Sequence, residues 1–310
     1  METKVLNFGS LNLDYVYSVD HFVQEGETLS SLERNTFCGG KGLNQSVALK
    51  KAGCRVFHAG AVGKSDSGIL LDMLDSTGVN RDFIRFKDGP TGHAIIQKNK
   101  AGNNCILLFG GANQEILRSD IDETFSQFGK GDYLVLQNEI NELSYIIEKG
   151  RDAGMEIVLN PSPMNEKIEA LPLDMVDYFM LNEVEAAAIT GVDAKDSDGL
   201  ISGLREKFPK SHVVLTLGER GSVYAYRDTV IKQGIFSVPV VDTTAAGDTF
   251  TGFFIGSLIR GEEPEKALET AAKASAIAVS RPGAAPSIPE LSEVTDFSEL
   301  FVYNRLKAEK

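Results

Sequence analysis

The stretch VDTTAAGDTFTGFFIG at positions 241–256 decides how the rest of the chain is interpreted. The apolar run that ends at Val241 predicts a strand, and the apolar residues after Gly247 recur at helical spacing. A turn of small residues, Ala245, Ala246 and Gly247, therefore joins the predicted strand to the predicted helix. Because these residues carry little or no side chain, their backbone N–H groups can approach an anion closely. The start of a helix also favours negative charge through the helix dipole.

Asp248 directly follows this turn. A carboxylate beside an anion site is electrostatically unfavourable unless it has a task there, such as accepting a proton from an attacking hydroxyl. The alternative is that Asp248 only complements the helix dipole in the first helical turn. The turn by itself leaves both interpretations open.

Composition excludes several classes of partner. The chain has 310 residues, 42% of them hydrophobic, which suffices for one large α/β domain or two small ones. A formal net charge of -13 argues against nucleic acid and against an anionic membrane surface, since both need a basic patch. No run approaches the ~20 apolar residues of a membrane span, and the first residues lack a signal-peptide pattern. The sequence predicts a soluble cytoplasmic protein without a disulfide framework or a zinc site, because its three cysteines lie far apart.

Short apolar runs alternate with helical patterns along most of the chain. The predicted strands cover residues 5–8, 56–62, 133–137, 157–159, 178–181 and 213–217; the predicted helices cover 43–51, 69–74, 143–152, 183–189 and 265–280. Such alternation implies right-handed crossovers and a mostly parallel sheet with helices on both faces. After Arg281-Pro282-Gly283 the chain is predicted to end in a charged helix.

Two segments, 14–38 and 91–109, break this alternation. They carry β-type residues and turn signals such as Glu25-Gly26, but no helical pattern. We predict that they form a small β-rich flap inserted into the α/β core, within a single domain over residues 1–310.

Two familiar nucleotide-binding motifs are not supported. Gly63-Lys64-Ser65 resembles the end of a P-loop, but His58 stands where that loop requires glycine. No G-x-G-x-x-G follows a predicted strand, so a nicotinamide cofactor is not indicated. The four histidines show no metal-binding or triad spacing and are predicted to be surface or core residues.

The segment CGGKGLNQS at 38–46 is the second informative stretch. Its glycines permit positive φ and a close approach of backbone to ligand, while Lys41 and Asn44 offer hydrogen-bond donors. The alternative is an ordinary glycine-rich turn at a helix start. Asn12 and Asp14 follow the first predicted strand, at the end of a parallel sheet where ligands bind. An amide and a carboxylate together suit the neighbouring hydroxyls of a sugar.

These motifs together resemble the ribokinase family, the PfkB-type carbohydrate kinases, over nearly the whole chain. The resemblance rests on GSLNLD at 9–14, GGKGLNQ at 39–45, LNPSP at 159–163, LNEVEA at 181–186, TLGERG at 216–221, DTTAAGDTF at 242–250 and SRPGAAPS at 280–287. It implies a three-layer α/β sandwich around a mostly parallel sheet, with the flap as a lid over a sugar. It also implies ATP-dependent phosphorylation of a sugar, with D-ribose as first choice. The alternatives are deoxyribose, a hexose or a nucleoside as substrate, or a non-catalytic sugar-binding protein on the same fold.

The resemblance further implies roles for individual residues. The sugar site would comprise Asn12, Asp14, Gly40, Lys41, Asn44 and Glu139, with Asp248 as general base. Backbone amides of Ala245, Ala246, Gly247 and Asp248 would stabilise the transferred phosphoryl group. ATP would contact Asn182, Thr216, Gly218, Gly221 and Gly247.

The resemblance also implies metal ions and a homodimer formed through the lid. Glu185 would hold Mg²⁺, and K⁺ would lie among Asp242, Thr244, Ala278, Arg281, Gly283 and Ser287. Asn182 and Glu185 have a second interpretation as a capping pair at a helix start, and both roles are compatible. The sequence departs from many relatives at Ala245, where they carry glycine, and at Ala272, where a polar side chain often lies near adenine.

Overall fold

Two β-sheets build the fold in the computed structural model, which describes residues 2–101 and 103–297. The nine strands of the central sheet are β1 (Lys4–Phe8), β4 (Arg55–Gly63), β5 (Asn80–Lys87), β8 (Tyr133–Gln137), β9 (Glu156–Asn160), β10 (Tyr178–Asn182), β11 (His212–Thr216), β12 (Ser222–Tyr226) and β13 (Thr229–Gln233). Their order is β13-β12-β11-β10-β9-β8-β1-β4-β5, and all neighbours are parallel except at β12 and β13. The predicted mostly parallel sheet is therefore confirmed.

Helices cover both faces of this sheet. They are α1 (Lys41–Lys51), α2 (Gly68–Thr77), α3 (Arg118–Phe125), α4 (Leu143–Asp152), α5 (Glu183–Thr190), α6 (Ser197–Lys207), α7 (Ala246–Ile259), α8 (Pro264–Val279) and α9 (Leu291–Thr295). Alternate residues of one strand serve opposite faces: Val135 belongs to the core under α1, α7 and α8, whereas Leu134 and Leu136 belong to the core under α3 to α6. Strands that are buried on both faces consist of continuous apolar runs. Such runs in the sequence are what predicted these strands.

Of the six strands predicted between residues 5 and 217, five lie within observed strands, and the sixth, 213–217, matches β11 except for Leu217. The predicted helices lie within α1, α2, α4 and α5, and the helix predicted at 265–280 ends one residue beyond α8. The segments 14–38 and 91–109 form a separate four-stranded sheet, as predicted. Its strands are β2 (Asn12–Val19), β3 (Glu33–Gly39), β6 (Gly92–Asn99) and β7 (Asn104–Phe109), in the order β3-β2-β6-β7. The charged stretch predicted to end the chain in a helix extends into residues 298–310, outside the described residues.

One predicted strand is wrong. Val240 and Val241 lie in an irregular segment after β13, and their side chains are 67% and 58% exposed. The backbone amides of Val241 and Asp242 donate to the carbonyl of Val279, at the end of α8, at 2.8 and 3.2 Å. The chain thus crosses the end of α8 instead of joining a sheet. Two adjacent valines in the sequence do not indicate whether their neighbour in the fold will be a strand or a helix end.

Close packing between α1 and α7 sets the geometry of the site described below. A Cβ atom at Gly252 of α7 would overlap the Cβ of Ala48 and lie 2.8 Å from the Ala48 carbonyl carbon. One turn later, a Cβ at Gly256 would lie 2.7 Å from the Cβ of Ala52. Small residues on both helices therefore allow the two backbones to approach, and the first turns of α1 and α7 come together.

No helix within residues 2–101 and 103–297 is long and apolar enough to cross a membrane.

We predict that Gly252→Ala destabilises the fold although alanine is the better helix former. The added methyl group has no space against Ala48, and overpacking of this kind costs about 1 to 3 kcal/mol. Gly68→Ala is the matched control, because a Cβ at this first residue of α2 meets no described atom within 4 Å. Urea unfolding of both variants measures the difference. Equal free energies of unfolding for the two variants would contradict close packing at Gly252.

Candidate active site

The turn before α7 has an unusual backbone conformation. Ala245 precedes the helix with φ 61° and ψ 9°, in the left-handed region that favours glycine. Alanine in this conformation is strained, because its Cβ disfavours positive φ. This conformation turns the chain into α7, and no side chain caps the start of that helix, because alanine has no acceptor for the first amides. A Cβ at Gly247 would meet no described atom within 4 Å, so the space beside these amides is open.

A cavity of about 230 Å³ lies at the start of α7. Its walls include eight of the residues predicted for the site: Lys41, Asn182, Glu185, Thr216, Ala245, Ala246, Gly247 and Asp248. The other residues that line it are Asn160, Ser162, Met180, Leu181, Thr243 and Thr251. Asn160, Asn182 and Thr216 end neighbouring parallel strands, at the edge of the sheet where ligands of open α/β sheets bind.

Asp248 is nearly buried, with 6% of its surface exposed. Its Oδ2 accepts a hydrogen bond from Asn44 Nδ2 at 3.0 Å, and its Oδ1 accepts one from Gln45 Nε2 at 2.9 Å. Both donors belong to the first turns of α1. The Oδ1 atom of Asn44 has no hydrogen-bond partner among the described residues, although it is buried. A ligand hydroxyl at this position would therefore find an acceptor ready.

Lys41 lines the cavity beside Asp248, and Glu139, which does not border the cavity, interacts electrostatically with both. The Glu139 carboxylate accepts hydrogen bonds from the backbone amide of Lys41, at 3.0 Å, and from the Ser10 hydroxyl. Burial lowers the pKa of Lys41, but the carboxylates of Asp248, Glu139 and Glu185 outweigh burial and hold the pKa above its ordinary value. Burial is the main cause that raises the pKa of Glu139.

Gly40, Asn12 and Asp14 are placed by the junction between the two sheets. Gly40 starts α1 with φ 94°, a conformation that glycine adopts freely. Asn12 Oδ1 accepts a hydrogen bond from the buried Asn113 side chain at 2.7 Å. Asp14 lies on β2 against Gly39, where a Cβ would overlap its carboxylate. Burial, followed by repulsion from Glu139, raises the pKa of Asp14 to about 7.

Asn182 and Glu185 form a capping pair at the start of α5, which is one of the two roles predicted for them. Asn182 Oδ1 accepts from the amides of Val184 and Glu185 at 2.9 and 3.0 Å, and Glu185 Oε2 accepts from the amide of Asn182 at 2.9 Å. Glu185 also borders the cavity and is 5% exposed. A structural role at the start of α5 and contact with a ligand are therefore compatible.

The remaining residues predicted for nucleotide contact follow β11. Thr216 ends this strand and lines the cavity, and its Oγ1 donates to the carbonyl of Leu181 at 3.2 Å. Gly218 and Gly221 bracket the next turn with φ 56° and 90°, and neither borders the cavity. In the described part of the chain, no cluster of three or more His, Cys, Asp or Glu side chains could hold a metal by itself.

Asp242 organises the loop before Ala245. Its Oδ1 accepts hydrogen bonds from the amide and hydroxyl of Thr244 at 2.9 and 2.6 Å, and its Oδ2 accepts one from the amide of Gly283 at 3.2 Å. Although partial burial raises the pKa of Asp242, these hydrogen bonds together hold it below its ordinary value. The other residues predicted for a cation belong to the end of α8 and the turns after it: Ala278, Arg281 and Ser287.

Sequence reasoning gave no role to several residues of the site. Ser10, Gln45 and Asn160 stand inside motifs that it identified, and only their side-chain contacts distinguish them from their neighbours. Asn113 has no local signal, because it meets Asn12 from 101 residues away.

A second open groove, of about 430 Å³, lies at the amino-terminal ends of β1 and β4. Phe57, Phe83 and Phe128 line it together with Lys4 and Arg55. None of the residues predicted for the site borders this groove.

Comparison with known proteins finds the same similarity along the chain. The model of the pfkB family of carbohydrate kinases matches residues 2–291. Ribokinase of Haemophilus influenzae is 32% identical over 303 residues, covering 94% of this chain and 97% of its own length. Deoxyribokinase of Salmonella typhi is 30% identical over 298 residues, covering 94% and 97%. The structure of Arabidopsis thaliana ribokinase complexed with ribose and ATP superimposes with a TM-score of 0.85 at 28% identity, over 96% of this chain and 100% of that one.

We predict that Asp14→Asn stabilises the fold at high pH. Asp14 has a pKa of about 7 in the folded chain and 3.8 as an isolated group, so the folded chain binds more protons between these values. The free energy of unfolding therefore falls as the pH rises through this window, and the amide avoids that loss. The expected gain at pH 8 is about 2 kcal/mol, well below the full shift because Asp14 keeps some contact with water.

Urea unfolding at pH 8 and pH 4 measures this gain, which we expect only at pH 8. Asp152→Asn, on the exposed surface of α4, should change the free energy of unfolding alike at both pH values. A gain for Asp14→Asn that is the same at both pH values would rule out titration of Asp14 as its cause.

Proposed function

The chain belongs to the pfkB family of carbohydrate kinases, and from this premise we propose that it transfers a phosphoryl group from ATP to the O5 hydroxyl of D-ribose. Family membership makes it a phosphotransferase that acts on a sugar hydroxyl. The proposal adds the identities of the sugar, the hydroxyl and the nucleotide, and the roles of individual residues.

One observation carries the proposal: a buried carboxylate, that of Asp248, lies in the first turn of α7 beside open space at Gly247, which the backbone amides of Gly247 and Asp248 border. Asn44 and Gln45 hold both of its oxygens, so the carboxylate has a defined plane. Such a group is suited to accept a proton from a hydroxyl while the helix start stabilises negative charge.

The proposed reaction is a direct displacement. The sugar O5 forms a bond to the γ-phosphorus of ATP, the bond from that phosphorus to the ADP oxygen breaks, and the O5 proton passes to Asp248. Of the four amides predicted at 245–248, those of Gly247 and Asp248 would stabilise the charge on the transferred group, whereas the amide of Ala246 already donates to the carbonyl of Thr243 at 3.2 Å. Lys41, held protonated by the surrounding carboxylates, adds positive charge beside the same site.

We propose that ATP lies along the cavity between the starts of α5 and α7, with Thr216 and Asn182 near its phosphates. Glu185 would hold Mg²⁺ together with the phosphates, since Mg²⁺ keeps several waters and needs only one or two protein carboxylates. When bound, Mg²⁺ would neutralise phosphate charge during transfer. The site suits the ion because Glu185 is a carboxylate on the wall of the cavity.

Ribose is preferred over deoxyribose in this proposal because of Asp14 and Asn12. A carboxylate accepts from two neighbouring hydroxyls, and the amide of Asn12 keeps its donor group while Asn113 occupies its oxygen. A ribokinase and a deoxyribokinase resemble the chain at 32% and 30% identity, so deoxyribose is the second candidate. The two sugars differ at one hydroxyl, and a site built for that hydroxyl rejects the sugar that lacks it.

We also propose that the small second sheet covers the sugar as a lid and joins two copies of the chain. The outer strand β7 is exposed along its whole length, and Ile106 and Leu107 are 56% and 67% exposed. An isolated four-stranded sheet with an apolar exposed edge is suited to pair with a second copy. Light scattering at tens of micromolar tests this proposal, and a monomer there would refute it.

We predict that K⁺ raises kcat or the affinity for ATP. Hydrogen bonds join Asp242 to Thr244 and Gly283 behind the turn at Ala245. A monovalent cation bound by oxygen atoms there would stabilise the strained turn. Activity in K⁺, Na⁺ and tetramethylammonium buffers of equal ionic strength measures the effect. Equal rates in all three buffers would exclude a cation site that matters for turnover.

A coupled ADP-release assay across ribose, 2-deoxyribose, fructose and adenosine tests the proposed function. We expect the highest kcat/KM for ribose and at least about a tenfold lower value for deoxyribose, since an unpaired buried polar group costs about 1 to 3 kcal/mol.

Three variants test the proposed residue roles in the same assay. Asp14→Asn should reduce the ratio of kcat/KM for ribose to kcat/KM for deoxyribose, whereas Lys41→Ala should lower kcat/KM for both sugars evenly. Asp248→Asn should lower kcat by about 10² to 10⁴-fold and leave sugar binding nearly intact.

The possible outcomes separate the candidates. A higher kcat/KM for deoxyribose, fructose or adenosine than for ribose refutes the ribose assignment and leaves a sugar kinase of other specificity. Sugar binding by calorimetry without any ADP release would instead indicate a non-catalytic protein. Retention of more than about a tenth of kcat in Asp248→Asn would show that Asp248 is not the base.

A further inference from the structure

A series of buried polar side chains leads from Asp248 into the centre of the molecule. Every member except Asp248 has 0% exposed surface. The members are Asp248, Gln45, Gln137, Asn7, Ser46 and His58. Buried polar side chains in such number are costly even when paired, and Gln137 Oε1 has no hydrogen-bond partner among the described residues, so a connected series in the core calls for a reason.

The hydrogen bonds that join the series have ordinary lengths. Gln45 Nε2 donates to Asp248 Oδ1 at 2.9 Å, and Gln45 Oε1 accepts from Gln137 Nε2 at 2.7 Å. Gln137 Nε2 also donates to Asn7 Oδ1 at 3.0 Å. Asn7 Nδ2 donates to Ser46 Oγ at 2.8 Å and to the carbonyl of Gly42 at 2.6 Å.

The backbone carbonyl of Gly42 determines which way each amide faces. A carbonyl only accepts, so Asn7 must present Nδ2 to it and Oδ1 to Gln137. Gln137 must then present Nε2 to that oxygen, and Gln45 must present Oε1 to the same Nε2. The Nε2 group of Gln45 is left facing Asp248. No amide in the series can rotate by half a turn without placing two acceptors or two donors together.

His58 closes the other end of the series in a single tautomer. Its Nε2 lies 3.2 Å from the carbonyl of Gly9 and must donate to it, so Nδ1 accepts from the Ser46 hydroxyl at 2.7 Å. Burial lowers the pKa of His58 to about 4, so the ring stays neutral near neutral pH and can accept this hydrogen bond. Ser46 in turn accepts from Asn7, which keeps the donor order consistent throughout.

We propose that Gln45 is a positioning residue that holds the carboxylate of Asp248 in its reactive orientation. Gln137, Asn7 and the carbonyl of Gly42 fix the Gln45 amide so that its Nε2 donates to Asp248. The inference rests on the proposed function, in which Asp248 accepts the proton of the sugar hydroxyl. Asn44 restrains the other carboxylate oxygen, and its own Oδ1 is buried without a hydrogen-bond partner among the described residues. Gln45 contacts Asp248 from inside the protein and acts only through it.

The pair Gln45→Met and Gln45→Glu tests this role. Methionine has a similar length but no donor, and we expect kcat to fall by about 10- to 100-fold, because hydrogen bonds to charged groups are among the strong ones and a tilted carboxylate misses the hydroxyl. KM for the sugar and for ATP should change by less than about threefold, since the ligand contacts remain. A kcat within about twofold of wild type would overturn the proposal.

The pH profile of the Gln45→Glu variant tests whether residue 45 must donate a hydrogen bond to Asp248. Its carboxyl keeps the acceptor for Gln137, but it can donate to Asp248 only while the two carboxyl groups share a proton. The ratio of its kcat to that of wild type should therefore fall between about pH 6 and pH 9, as the pair loses this proton. The other charged groups around the pair are Lys41, Glu139 and Glu185, which are unchanged in both proteins. A constant ratio across this range would mean that Gln45 has only a structural role.

The controls separate folding from positioning. Ser211→Ala removes a buried hydrogen bond, from Ser211 Oγ to the carbonyl of Val176 at 2.7 Å, far from Asp248. It should lower Tm without changing kcat, and Gln45→Met should change both. If Gln45→Met does not fold, the pH profile of Gln45→Glu decides the question. Loss of activity in Asp248→Asn together with wild-type behaviour of both Gln45 variants would refute this inference alone, whereas an active Asp248→Asn would refute the base assignment itself.

Discussion

The close contact between α1 and α7 is the constraint on which the site depends. Gly252 and Gly256 leave space for Ala48 and Ala52, so the two helix backbones approach more closely than larger residues would allow. The two helices start at the same edge of the molecule, and both begin after a residue with positive φ, Gly40 and Ala245. Both helix starts favour negative charge: the start of α1 holds the Glu139 carboxylate through the amide of Lys41, and the start of α7 borders open space that suits a phosphoryl group.

The same geometry concentrates charge that is costly without a ligand. Burial raises the pKa values of Asp14 and Glu139. The positive charge of Lys41 partly compensates the negative charges of Asp248, Glu139 and Glu185. Asn44 keeps a buried oxygen without a partner, and Ala245 remains in a strained conformation. Strain, unpaired polar atoms and shifted pKa values cluster at functional sites because binding or catalysis uses them. In this protein Ala245 precedes Asp248 by three residues, Asn44 donates to the Asp248 carboxylate, and Lys41 and Glu139 interact with it electrostatically.

The central fold was predictable because its strands are buried on both faces. Such strands read as continuous apolar runs, as at β1, β8 and β11. The edge strand β5 mixes exposed and half-buried residues, and β12 and β13 return antiparallel through a short turn, so no apolar periodicity marked them. Val241 failed for the opposite reason, since an apolar pair is only a strand when another strand lies beside it.

For the site, the sequence by itself determined the residue types and their local geometry: small residues at the start of α7, a glycine with positive φ before α1, and a capping pair at Asn182 and Glu185. These features act within a few residues, so local sequence specifies them. The tertiary structure alone decided which side chains meet. Asn44 reaches Asp248 across 204 residues, and Gln45 reaches Gln137 across 92. Those pairings depend on how closely helices and strands pack, and that distance is a property of the whole core.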